Sequence, residues 1–232
     1  MTNLKEQIQN LAFFVTFLSV FSPSYALTKT ILTNCNIIDG TGRPAARDMV
    51  ITISENKIST IEKGPYKSIG ETDREIIDLK GGYVLPGFWN NHSHLSDLLP
   101  DVNDILGKEN TVSATIRAGR NAMDAIKRGF TSLRSTGSRD YLDVYWGKAF
   151  KDGVFIGPTI YPAGNPIAAV GGHGIDDYAW PATIAINGPK EMRKAVREHV
   201  RMGVNWIKIM ADELKDNEII AAVQIAHQNN VK

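Results

Sequence analysis

His92 and His94 stand two residues apart at the end of the run Val84-Leu85-Pro86-Gly87-Phe88-Trp89-Asn90-Asn91-His92-Ser93-His94-Leu95. Side chains alternate between the two faces of a β-strand, so both imidazoles project to one side and Ser93 to the other. Two imidazoles on one side can bind one metal ion. The alternative is a surface loop with two solvated histidines. The Pro-Gly turn and the apolar strand ahead of the pair favour the metal reading, because parallel α/β barrels carry their chemistry at the carboxyl ends of strands. Lys208 is the second residue of chemical interest. It lies inside Val204-Asn205-Trp206-Ile207-Lys208-Ile209-Met210, an apolar run read as a parallel strand, where an unpartnered lysine is rare. A lysine facing a barrel mouth is deprived of water, which favours the neutral amine. A neutral amine adds carbon dioxide to give a carbamate, whose two oxygens can bridge two cations. A lysine at a strand end reaching back to water is the alternative.

The elements that must position these residues fall into two regions. From Leu27 to about Val84 the chain reads as short β runs divided by turn signals: Ile31 to Ile38, Asp39-Gly40-Thr41-Gly42, Met49 to Ile53, Ser54-Glu55-Asn56-Lys57, Ile58 to Ile61, then Glu75 to Leu79 and Tyr83 to Leu85. That spacing predicts a small antiparallel β-sandwich. After Leu95 strands and helices alternate. Val112, Ile116, Gly119, Met123 and Ile126 recur at spacings of three and four and predict a helix with one buried face, ending near Gly129. Phe130 to Arg134 is read as a strand, Ser138 to Val154 as a second helix, Pro158 to Pro162 as a third barrel strand, and Ala163 to Asn187 as a long loop. Pro189 opens a helix whose stripe is Met192, Ala195, Val196 and Val200, with His199 at its edge and Gly203 as its stop. Val204 to Met210 is the fourth strand, and Asp216 is read as the N-cap of a last helix carrying His227 near its end. Four strand–helix repeats predict βα units and a parallel sheet. His199 and His227 read as helix residues, not ligands.

The balance of 26 basic and 25 acidic residues gives a net charge of +1, so no global field points to nucleic acid or to an anionic membrane surface. The first residues read as a leader: Lys5 in a polar start, an apolar run from Leu11 to Phe21, and Ser24-Tyr25-Ala26 as a cleavage site. The run is shorter than the ~20 residues a bilayer span needs, so cleavage and export are expected, with a periplasmic or secreted product and no membrane attachment. Cys35, the single cysteine, reads as a small strand residue. The expected organisation is a signal peptide over 1–26, an N-terminal β-sandwich over 27–85, and the first half of a (β/α) barrel over 86–232.

Val84 to Leu95, Gly129 to Gly137, Gly157 through Gly171-Gly172-His173-Gly174, and Lys190 to Met210, together with Asp39-Gly40-Thr41-Gly42, resemble in order the amidohydrolase superfamily of metal-dependent hydrolases. The nearest branch is that of imidazolonepropionase-like and prolidase-like enzymes. The resemblance implies that His92 and His94 are first-strand metal ligands. It implies that Lys208, carboxylated, bridges two divalent metals, commonly zinc, and that His173 lies near the substrate after the third strand. A tight turn with an exposed ring is the other reading of Gly171-Gly172-His173-Gly174. Metals in such a site lower the pKa of bound water and polarise the carbonyl of an amide or ester. Two positions depart from the family pattern: Ser135 follows Arg134 where aspartate is common, and Asn90 stands two residues before His92 where aspartate is frequent. The family also takes two histidines and a general-base aspartate from strands five to eight. The expectation is therefore a partial TIM-type barrel of about four βα units, truncated before strand five and inactive alone. A small-molecule substrate is expected only once the barrel is completed. A half-barrel completed by a C-terminal chain or by a homo-oligomer, and a non-functional fragment, are the alternatives.

Overall fold

The computed structural model of the chain describes residues 29–67, 73–96, 109–175 and 183–232. The segment 1–26, read as a leader, lies outside them. The chain divides into two compact units, Met1–Pro86 and Gly87–Lys232.

The first unit is one sheet built from β1 (Lys29–Ile37), β2 (Ala46–Ser54), β3 (Lys57–Lys63), β4 (Arg74–Asp78) and β5 (Tyr83–Val84). Its order is β3-β2-β1-β4, with β5 also on β1. β2 pairs antiparallel with β1 and β3. β4 and β5 run parallel to β1. The antiparallel expectation is corrected to a mixed sheet, and the reason is physical: alternation specifies which face a side chain takes, not which way a neighbouring strand runs. Glu55 and Asn56, both with positive φ, close the β2–β3 hairpin in the conformation a primed turn requires. Ile31, Cys35, Val50 and Ile51 are buried. The Cys35 thiol donates to the Met49 carbonyl at 3.1 Å, as a packed strand residue does. At the Asp39-Gly40-Thr41-Gly42 turn, the Thr41 hydroxyl and amide, with Arg43, hold the Asp39 carboxyl down to about 2.

The second unit alternates β6 (Phe88–Ser93), α1 (Thr111–Lys127), β7 (Phe130–Ser135), α2 (Leu142–Lys151), β8 (Thr159–Tyr161), β9 (Ile167–Ala169), β10 (Ile184–Ile186), α3 (Pro189–Met202) and α4 (Asp216–Gln228). β6, β7 and β8 form a parallel sheet in chain order. The segment Val204–Met210, expected as a regular strand, instead follows β8 and β9 through scattered bonds. Asn205 N donates to Pro162 O at 2.8 Å, and Ile209 makes a single parallel bridge to Ile167. On its other side Ile207 N donates to Lys232 O and Lys232 N to Asn205 O, the pattern of a parallel ladder. The long loop expected from Ala163 to Asn187 holds β9 and β10, paired in parallel. Residues 176–182 of it lie outside the described residues.

α1 buries a face other than the one expected, and α3 buries His199 together with its expected stripe. In α1 the buried residues are Ala114, Ala118, Gly119 and Ala122, whereas Val112 and Ile116 are 70% and 69% exposed. Small residues let the helix approach the sheet, and Gly119 lies against Trp146 of α2. In α3 His199 is fully buried. Its Nδ1 lies 2.9 Å from Ala195 O and its Nε2 lies 2.6 Å from Asn165 O. Lys215, not Asp216, is the N-cap of α4. The buried Glu218 carboxylate accepts from Lys215 N at 2.8 Å and from Gly188 N, at the start of α3, at 2.6 Å. One side chain thus serves the open amides of two helix starts. No described helix is long and apolar enough to cross a membrane.

Candidate metal centre

β6 carries the two histidines to the carboxyl end of the first strand in the parallel sheet. Its register against β7 runs Asn90↔Leu133 and then Ser93↔Ser135, three residues against two, so a bulge lies across Asn91 and His92. The Asn90 side chain accepts the His92 N–H at 3.0 Å, giving that amide a partner beside the irregular ladder. Ser93 turns the other way, and its hydroxyl donates to Arg134 O at 3.0 Å.

The rings of His92 and His94 are 5.3 Å apart between centroids and inclined at 60°. His94 Nδ1 lies 3.0 Å from Gly137 O. A carbonyl only accepts, so Nδ1 carries the proton and Nε2 keeps its lone pair. The Thr136 hydroxyl lies 3.2 Å from that Nε2. Burial lowers the pKa of both rings. At His92 the charges of His94, Lys208 and Arg134 add to it. At His94 Lys208 adds, while the Gly137 hydrogen bond and the Asp143 charge oppose.

Lys208 therefore acts electrostatically on both histidines from a segment more than a hundred residues further along the chain. Its carbonyl accepts from Ile167 N at 2.9 Å, which ties the segment to β9. His173 is placed differently. It is exposed in a turn closed by Gly172 N to Ala169 O at 2.9 Å and Ile175 N to Gly172 O at 3.1 Å. Among the described residues it makes no hydrogen bond, ion pair or ring contact with His92, His94 or Lys208. Among those residues there is also no group of three or more His, Cys, Asp or Glu side chains able to hold a metal.

A model of the amidohydrolase family matches residues 83–226. The chain belongs to this family. It is 28% identical over 204 residues to the ochratoxinase of Aspergillus niger, covering 75% of this chain and 40% of that protein. Over 67 residues it is 39% identical to a dihydroorotase of Thermoanaerobacter sp. (strain X514), covering 29% of this chain and 14% of that one. Among solved structures, a Xaa-Pro dipeptidase with methionine bound in its active site matches with a TM-score of 0.75 at 28% identity, covering 88% of this chain and 55% of the dipeptidase. The crystal structure of A. niger ochratoxinase shares the fold, with a TM-score of 0.71 at 23% identity, covering 88% of this chain and 54% of that one. The chain spans about half the length of these relatives.

Amidohydrolases generally use divalent metals. The residues present suit part of such a site: two imidazole rings 5.3 Å apart whose charged form burial disfavours, with the Nε2 lone pair of His94 directed by the contact of its Nδ1 with Gly137. Three supporting residues, Thr136, Gly137 and Asp143, carry no signal in the sequence pattern, because the groups they meet are distant in the chain. Asn90, noted in the sequence only as a departure from the family pattern, accepts the His92 N–H through its side chain.

Proposed function

We propose that residues 87–232 form the first four strand–helix units of a barrel hydrolase, with His92, His94 and Lys208 as one side of a divalent metal site. The reaction is hydrolysis of a carbon–nitrogen bond in a small amide, cyclic amide or dipeptide. The observation that carries this reading is the pairing of the His92 and His94 rings, 5.3 Å apart, at the carboxyl end of the first parallel strand, with the Lys208 charge lowering the pKa of both. Zinc suits imidazole donors, and when bound it supplies a water of lowered pKa and polarises the scissile carbonyl. His92 and His94 would hold the metal through neutral ring nitrogens. Lys208, on adding carbon dioxide at Nζ and passing a proton to water, would supply carbamate oxygens as further donors. His173 is a substrate contact in this reading, and the general base is not assigned to any residue of this chain. Relatives named for ochratoxin and for Xaa-Pro dipeptides support a small-molecule substrate.

The purified chain is expected to bind divalent metal weakly and to turn over amides, dipeptides and esters negligibly. Metal analysis and turnover assays check this. Two tightly held metals per chain with ordinary enzyme rates would overturn the half-site reading.

A second reading is supported by Trp89, a large aromatic that is 51% exposed on the sheet face turned away from α1 and α2. In that reading a second chain or a second copy completes the barrel. The leader-like segment 1–26 supports export to the periplasm or medium, which cell fractionation tests.

A further inference from the structure

We propose that Asp143 is a positioning residue for the metal centre: its buried carboxylate fixes the Ala163–Gly164 backbone, and through it the peptide whose carbonyl orients His94. The inference rests on the reading of His94 as a metal ligand.

Asp143 is fully buried in the first turn of α2. An acidic residue there ordinarily serves the open amides of its own helix. Here the two oxygens divide the work. Oδ1 accepts from Val144 N at 2.9 Å, while Oδ2 accepts from Ala163 N at 2.9 Å and Gly164 N at 3.0 Å, in the loop after β8. The loop then reaches back, because Gly164 O accepts from Ser138 N at 2.8 Å.

That last bond decides the geometry. The Ser138 N–H and the Gly137 C=O belong to one planar peptide unit, so fixing the direction of one fixes the other. The Gly137 C=O is the group that meets His94 Nδ1 at 3.0 Å. Pro166 closes the far side, since a Cβ on Gly137 would stand 2.5 Å from Pro166 Cγ. The path from the carboxylate to the ring therefore has five links: three hydrogen bonds, the Gly164 residue and the Gly137–Ser138 peptide. It sets which His94 nitrogen carries the proton, and it does not pass through His92.

The test uses the whole chain, metal-free, at alkaline pH, with ring nitrogen shifts of His92 and His94 read by NMR and Co(II) affinity read by absorbance. In the unaltered chain His94 is expected to show the Nδ1-protonated neutral pattern. Asp143→Asn replaces one acceptor oxygen by a donor, so it cannot serve Val144 and the loop together. His94 should then become a mixture of tautomers while His92 keeps its pattern, and Co(II) affinity should fall about tenfold or more. A folded Asp143→Asn chain that keeps the His94 pattern, with Co(II) affinity within about twofold, overturns the inference. If Asp143→Asn does not fold, Asp143→Glu, which keeps the charge and displaces both oxygens, is measured against the same two outcomes. An unaltered chain that binds no Co(II) refutes the metal reading instead, and the His94 tautomer still decides the role of Asp143.

Discussion

At the centre, the pKa of both imidazoles is pulled beneath the ordinary value of 6.5, His94 by burial and then Lys208, His92 by burial and then the His94, Lys208 and Arg134 charges. A ligand must be neutral to bind metal, so proton competition starts at a lower pH than for free imidazole. In buffer free of carbon dioxide, where Lys208 carries no carbamate, affinity for Co(II) or Zn(II) should stay level as pH falls through 6.5 and decline only below it. There the slope should approach about tenfold per pH unit for each ligating histidine, measured by titration over a pH series. A decline that begins at or above 6.5 would contradict the burial argument. The metal-free chain has a linked property. Between the lowered folded value and 6.5 the unfolded chain binds protons that the folded chain refuses, so stability falls as pH drops through that window. His94→Gln should flatten this dependence more than His92→Gln, because the His94 ring is the more buried of the two. Of these residue-scale features, type and spacing singled out the paired histidines and Lys208, while their ligand roles came from the family resemblance. The Gly137 carbonyl was not, because a backbone acceptor is the same at every position of a sequence.

Among the elements, α1 and α2 meet where Gly119 faces Trp146. Glycine inside a helix ordinarily costs about 1 kcal/mol relative to alanine, so Gly119→Ala on an open helix face would stabilise. Here the new Cβ would stand 2.0 Å from Trp146 Cζ2, and the indole is held in place by its Nε1–H donating to Thr115 O at 2.9 Å. Overpacking of about 1–3 kcal/mol outweighs the propensity gain. Gly119→Ala should lower Tm by some degrees, roughly 2–4 °C per kcal/mol in a chain of this size, as read by circular dichroism. A rise in Tm would show that the two helices separate easily. The same contact explains why α1 was legible as a helix but not in its orientation. Val112, Ile116, Met123 and Ile126 give the stronger apolar periodicity, yet close approach to the sheet selects the alanine stripe at Ala114, Ala118 and Ala122. In α3, by contrast, Met192, Ala195 and Val196 are buried as their spacing predicts, and only His199, held by two carbonyls, departs from expectation. Polar residues buried for their hydrogen bonds escape a reading based on hydrophobicity.

Over the whole chain, strand–helix alternation made the α/β class legible, while the pairing partners were not, since β4 and β5 join β1 by contacts that span tens of residues. The second unit raises a question of coverage at this scale. Leu133 and Ile160 pack against α1 and α2 on one side of the parallel sheet. The other side carries Trp89 stacked on Tyr161 at 4.9 Å, Tyr161 edge-on to Trp206 at 6.5 Å, and Arg134 over the Trp206 ring at 4.9 Å. Lys232 adds its ammonium 5.6 Å from the same ring, and its backbone bonds to Asn205 O and Ile207 N. Inside a closed barrel such side chains form packed layers. Left open, half of one tryptophan faces water, and covering it is worth about 2 kcal/mol. The chain should therefore associate through this face. Sedimentation velocity over a concentration series should give a rising weight-average coefficient, with tryptophan emission moving to shorter wavelength as Trp89 is covered. Trp89→Glu should shift the chain toward the monomer without loss of secondary structure. A chain that stays monomeric across the series, with emission independent of concentration, would show that this aromatic face is stable in water and needs no second half to cover it.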